Sequence, residues 1–257
     1  MKTIAIGIQK GGTGKTTVAV SLAAELARYG STLIVDADPQ GNATNWLAPS
    51  DKDLPGELAG VFAGNTDLKN AIIPTETTGL FLLPTAGIGG QLRAYISTES
   101  EMKQLANFKT LVRNIAKQGY KFCVTDLSPA FGFMERAAFI TADEIITPVM
   151  PDTFGMDGLE IFTYNLLRLK EEAEAVGMGR IGAYNYLVLN AIDHRIKQHD
   201  EVVAKIKAEA KQKAFLIPVD QAFRRAQTAC RPVQAETAKG ETLAEFSRMA
   251  KELARTA

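Results

Sequence analysis

Between Gln9 and Thr17 the chain reads QKGGTGKTT, with three glycines, two lysines and three threonines directly behind the apolar run TIAIGI. Gly11, Gly12 and Gly14 let successive backbone N–H groups turn inward around a polyphosphate, and a helix starting at Lys15 adds the positive end of its dipole. In that setting Lys15 reaches the β- and γ-phosphates of ATP, and the Thr16 hydroxyl ligates Mg²⁺. Gly11, Gly12, Thr13, Gly14, Lys15, Thr16 and Thr17 are the expected nucleotide cradle. The usual spacing, Gly-x-x-x-x-Gly-Lys-Ser/Thr, starts on glycine, whereas this chain has Gln9 there. One lysine suffices for such a loop, so Lys10 calls for a separate role; a solvated side chain is the plain alternative.

Acidic residues supply the other half of the chemistry. VDADPQGN (35–42) closes a second apolar run, and Asp36 and Asp38, two apart on an extended chain, share one side. An acidic turn is the competing explanation, since Asp-Pro favours turns. VTDLSPA (124–130) closes a third run and makes Asp126 a carboxylate placed to hold Mg²⁺ through water. The two cysteines, Cys123 and Cys230, lie far apart with no CxxC, so reduced thiols are expected.

Positioning these groups takes alternating strands and helices. Apolar runs at 3–8, 32–37, 80–84, 121–127, 144–150, 183–190 and 214–218 read as strands; 15–29, 100–118, 133–141, 156–176, 198–212 and 241–255 read as helices. Such alternation means a parallel sheet covered on both faces. With no internal repeat or low-complexity linker, residues 1–257 read as a single doubly wound α/β domain, a mostly parallel sheet flanked by helices. Segment 48–79, rich in Pro, Gly, Asp and Thr, is the least regular and is expected to hold short surface helices. Composition is ordinary, 46% hydrophobic and 23% charged with zero net charge, which argues against a uniformly basic surface but leaves local patches open. The N-terminal apolar run is too short for a signal peptide, and no stretch reaches the roughly 20 apolar residues of a membrane span. A soluble, cytoplasmic protein is expected.

Gln9-Lys10-Gly11-Gly12 resembles the deviant Walker A motif of the ParA/MinD family of ATPases. The resemblance implies that Lys10 reaches across a dimer interface to the nucleotide of the other subunit, and makes Lys10, Lys15 and Asp38 the catalytic set. By the same resemblance Asp38 positions the attacking water, while Thr16, Asp36 and Asp126 serve the Mg²⁺. The family usually has Asp-x-Pro-Pro where this chain has Asp126-Leu127-Ser128-Pro129, a departure at the loop that follows the metal carboxylate. ITPVMPDTFGMDGL (146–159) is similar to the segment that opens a helix lining the dimer face. VLNAIDHR (188–195) places Asn190 where adenine is met, and IPVDQAFRRAQTACRPV (217–233) places Pro218 beside the ring. The resemblance spans nearly the whole chain.

Within that family three kinds of protein compete. An iron–sulfur enzyme needs exposed cysteines near the switch loops; Cys123 falls in an apolar strand, and Cys230 falls in a loop where the family often has glycine. A MinD-like membrane switch needs an amphipathic tail. Helix 241–255 has an apolar face of Leu243, Phe246, Met249, Ala250 and Leu253, explained more economically by packing on the sheet. A partition ATPase needs basic surface. From Asn190 onward thirteen Lys and Arg stand against nine Asp and Glu, and Arg224 and Arg225 are shifted a few residues from the family's arginines. No helix-turn-helix segment precedes the loop, the mark of the short form. The expectation is an ATP- and Mg²⁺-dependent homodimer that binds nonspecific DNA through Arg224 and Arg225. A ParB-like or other small adaptor stimulates its slow hydrolysis, and the ATP-bound form sits on the nucleoid.

Overall fold

The apolar runs become neighbours in one eight-stranded sheet. A computed structural model describes residues 1–48 and 54–256. The strands are β1 (Lys2–Ile6), β2 (Thr32–Ala37), β3 (Ile73–Pro74), β4 (Leu80–Leu83), β5 (Phe122–Leu127), β6 (Glu144–Val149), β7 (Ala183–Ile192) and β8 (Lys213–Pro218). Their spatial order is β3-β4-β2-β5-β1-β6-β7-β8, and every pairing is parallel except that of the two-residue β3 with β4. Near-continuous burial along β1, β2, β5 and β6 follows from covering both faces.

Four helices cover one face: α1 (Lys15–Leu26), α2 (Asn42–Leu47), α10 (Ala222–Thr228) and α11 (Gly240–Arg255). Ile4, Ile6, Ile34, Val124, Val188 and Ile217 pack there against Val18, Leu22 and Leu26 of α1 and Phe246, Met249 and Leu253 of α11. The other face carries α3 (Leu58–Phe62), α4 (Leu68–Ala71), α5 (Leu92–Thr98), α6 (Glu101–Lys117), α7 (Phe133–Thr141), α8 (Thr153–Ala175) and α9 (Lys197–Glu209). Its centre is a chain of edge-to-face and tilted rings, Phe131, Phe139, Phe162 and Tyr184. Each fully buried large side chain contributes about 1.5–3 kcal/mol of transfer free energy.

Element bounds differ from the sequence reading where local hydrogen bonds intervene. The first helix is shorter than 15–29, because Arg28 and Tyr29 switch to bonds three residues back, onto Glu25 and Leu26. The helix expected from 156 begins at Thr153, since the Asp152 carboxylate accepts the Gly155 amide at 2.6 Å and caps it. Within 48–79 the short helices do form, but Leu58, Ala59 and Phe62 point into the core and not outward; residues 49–53 of that segment lie outside the described ones. Helices α2, α5 and α10, of six or seven residues, are too short to show a helical period.

Candidate active site

The loop from β1 to α1 crosses the carboxyl end of the sheet. Gly12 (φ +75°) and Gly14 (φ +90°) adopt left-handed backbone that side chains disfavour, and a Cβ on Gly14 would fall 2.1 Å from the Asn190 amide nitrogen. Asn190, near the end of β7, donates from Nδ2 to the Thr13 carbonyl at 3.0 Å, so it braces the loop's backbone. Lys15 is buried and its Nζ donates to the Lys10 carbonyl at 2.7 Å. Burial lowers its pKa, while the carboxylates of Asp126, Asp38 and Glu135 oppose that change.

The parallel register of β2 and β5 pairs Asp36 with Asp126, and strand alternation puts both on the face of Ile34 and Val124, the face that packs on α1. Asp126 is wholly buried, and among the described residues neither of its oxygens has a hydrogen-bond partner. Burial, with Asp36 next, holds its carboxyl well above the usual range; the nearby Thr16 hydroxyl acts in the opposite sense without completing a bond of good geometry. An orphaned carboxylate beside a threonine at a helix start fits a hydrated divalent cation.

Asp36 is engaged differently. Its Oδ2 accepts both the amide and the hydroxyl of Thr44 at 2.7 Å, Oδ1 accepts the Asp38 amide at 3.3 Å, and its carbonyl accepts the Thr85 hydroxyl at 2.6 Å. Burial pushes its carboxyl up to about 7. Asp36 thus anchors the first turn of α2. Asp38 is buried and accepts the Gln40 amide at 2.9 Å, within electrostatic reach of Lys15, Asp36 and Asp126.

Lys10 turns away from its own loop. Its ammonium lies 3.7 Å from Asp152 and 5.4 Å from the Phe154 ring centre, and its stem passes Gly158. Gln9 meets the same helix, accepting from Asn165 at 2.6 Å. Along α8, Phe154, Ile161, Tyr164 and Leu167 are exposed. A cavity of about 810 Å³ lies farther along α8, lined by Leu166, Lys170, Arg180 and Tyr184 at the opposite end of β7 from Asn190.

Pro218 is buried at the end of β8, in register with Ile192 of β7. The arginine pair on α10 divides. Arg225 donates to the Thr237 carbonyl at 2.7 Å and lies 3.5 Å from Glu236, which also holds Arg231 at 2.6 Å. Arg224 is exposed and has no ion pair among the described residues. Cys123 is buried, which pushes its thiol up to about 12. Cys230 has φ +51°, a conformation that favours glycine. Phe246, Met249, Ala250 and Leu253 of the apolar face of α11 are in the core, with Leu243 half-buried, and among the described residues no helix is long and apolar enough to cross a membrane. Sequence reasoning missed Glu135, whose signal was its place three residues after Gly132 at the start of a helix.

Known proteins share both sequence and architecture. The chromosome partitioning protein ParA of Myxococcus xanthus is 27% identical over 84% of this chain and 74% of its own. The sporulation initiation inhibitor Soj of Bacillus subtilis is 29% identical over 83% and 82%. MinD of Pyrococcus horikoshii, solved with Mg-ADP, superposes with a TM-score of 0.75 at 23% identity over 98% of this chain and 95% of that one. An ATP complex of McdA from Cyanothece gives 0.81 at 20% identity over 98% and 96%. These two structures speak for the fold. The family model described as an AAA domain matches residues 1–176, and with these partition and positioning relatives it follows that the chain belongs to the ParA/MinD family of P-loop ATPases.

Proposed function

We propose that this chain is a partition or positioning ATPase that works as an ATP-bound homodimer on nonspecific DNA. The observation that carries the reading is the resting place of Lys10. It is a cation its own loop does not use, lying on a helix whose exposed Phe154, Ile161 and Tyr164 await a cover. A second copy on α8 provides that cover and brings each Lys10 toward the other subunit's nucleotide. Two triphosphates face to face gather about eight negative charges, so a cation in trans favours the dimer only when ATP is bound.

Within each subunit the roles divide by what each group can do. Gly11, Gly12, Thr13, Gly14 and Thr17 line the cradle with backbone and hydroxyl donors, and Lys15 neutralises the β/γ end. Thr16 and Asp126 hold Mg²⁺, which supplies charge neutralisation when bound. Asp36 supports that shell indirectly by fixing Asp38, and Asp38 orients the water. Asn190 and Pro218 flank the base. Arg224, with Arg225 behind it, offers phosphate contacts that read no sequence. A ParB-like or other small adaptor stimulates turnover in the cytoplasm and so releases the dimer from the nucleoid.

Light scattering with ATP and Mg²⁺ tests the reading. The parent should double its mass with ATP and not with ADP, and Lys10→Ala should bind nucleotide with little loss yet stay monomeric. A normal dimer from Lys10→Ala removes the trans role.

A further inference from the structure

A buried carboxylate outside the expected motifs lies against this site. Glu135, in the first turn of α7, is 3% exposed, and its Oε2 accepts the Gly132 amide at 2.9 Å, as a capping residue does. Capping needs only that oxygen. The other, Oε1, accepts from the Ser128 hydroxyl at 2.5 Å, the short end of the range for a hydroxyl on a carboxylate. Ser128 stands two residues after Asp126, where Asp-x-Pro-Pro has its first proline. A proline ring pins φ at that point; serine does not. The hydrogen bond restores a constraint that the substitution removes.

The register that pairs Ala37 with Leu127 makes Asp38 and Ser128 the next residues out of two adjacent strand ends, and Glu135 lies within electrostatic range of Asp38 and Lys15. Burial is the largest influence on its carboxyl and raises the pKa, the Ser128 bond opposes this, and Asp38 adds to the rise. Glu135 in turn acts on Lys15. A residue that served only the end of α7 would need neither the Ser128 bond nor this proximity.

We propose that Glu135 is a positioning residue for hydrolysis: by tying Ser128 to Gly132 it holds the loop 128–132 beside Asp38 and Lys15, as a proline would. The inference rests on the ATPase reading above.

Single-turnover hydrolysis, with protein in excess over ATP and Mg²⁺ present, reads the chemical step; a fluorescent ATP analogue reads affinity. Glu135→Ala should slow the step on the order of tenfold with affinity within about twofold, because misplacement costs rate more than binding. Ser128→Ala leaves the cap intact and should still lose several-fold. Glu135→Gln can bond both partners and should stay near the parent. Ser128→Pro should hold the parental rate, and combined with Glu135→Ala should recover most of what that variant lost. Parental rates for Ser128→Ala and Glu135→Ala, or a Ser128→Pro as slow as Ser128→Ala, overturn the proposal. If Glu135→Ala fails to fold, the comparison of Ser128→Ala with Ser128→Pro decides alone. A parent that binds ATP and never hydrolyses it removes the ATPase reading as well; a hydrolysing parent with indifferent variants removes the inference only.

Discussion

Asp36 and Asp38 are two residues apart, yet only Asp36 commits its side chain to a buried network: the Thr44 amide and hydroxyl both donate to its Oδ2, and the Thr85 hydroxyl donates to its backbone carbonyl. That commitment has a cost that depends on pH. Burial raises the Asp36 carboxyl to about 7, so the folded protein keeps a proton that the unfolded chain gives up at the ordinary carboxylate value. The folded state therefore binds more protons across the window from about 4 to 7, and stability falls as pH rises through it. Calorimetry should give the nucleotide-free protein a higher Tm at pH 5 than at pH 7.5. Asp36→Asn, which can still accept from Thr44, should flatten that difference without abolishing it, since Asp126 is raised in the same direction. An unchanged slope in Asp36→Asn would place the cost elsewhere.

At the scale of elements, α8 and α10 each serve two ends. The N-terminus of α8 is capped by Asp152, and the same carboxylate faces Lys10, so one residue both starts the helix and receives the loop's extra cation. On α10, successive arginines turn to opposite surroundings. Arg225 reaches the segment before α11 through Thr237 and Glu236, while Arg224 faces solvent. Arg225→Ala should therefore lower stability by about 0.5–1 kcal/mol, the worth of a partly exposed ion pair with one added hydrogen bond. Arg224→Ala should change stability by less than that. Urea titrations of the two variants separate them, and equal losses would contradict the division.

For the whole molecule, two-fold assembly multiplies whatever surface a subunit presents. In the proposed dimer Arg224 appears twice, and because phosphate contacts release counterions, the proposed DNA binding should need ATP, ignore sequence and weaken steeply with salt. Arg224→Ala removes two contacts per dimer and should flatten the log–log salt slope by about two, with ATP-dependent dimerisation intact. Gel-shift titrations at several salt concentrations measure it. A slope identical to the parent's would move the DNA surface away from α10.

Some of this was determined by the amino-acid sequence alone, because it depends on neighbours in the chain. A glycine-rich turn between an apolar run and a helix, and aspartates at the ends of two more runs, can be read locally; strand alternation then brings Asp36 and Asp126 into register. The folded structure alone decided contacts between distant positions. Asn190 braces Thr13 across 177 positions, Lys10 rests on Asp152, and Glu236 claims Arg225. None of these has a periodic or spacing signature, since each pairs side chains whose proximity comes from helices packing on a sheet. The Ser128–Glu135 bond lies between the two cases: its capping half was legible as Gly132-x-x-Glu135, and its other half needed the turn out of β5 to be formed.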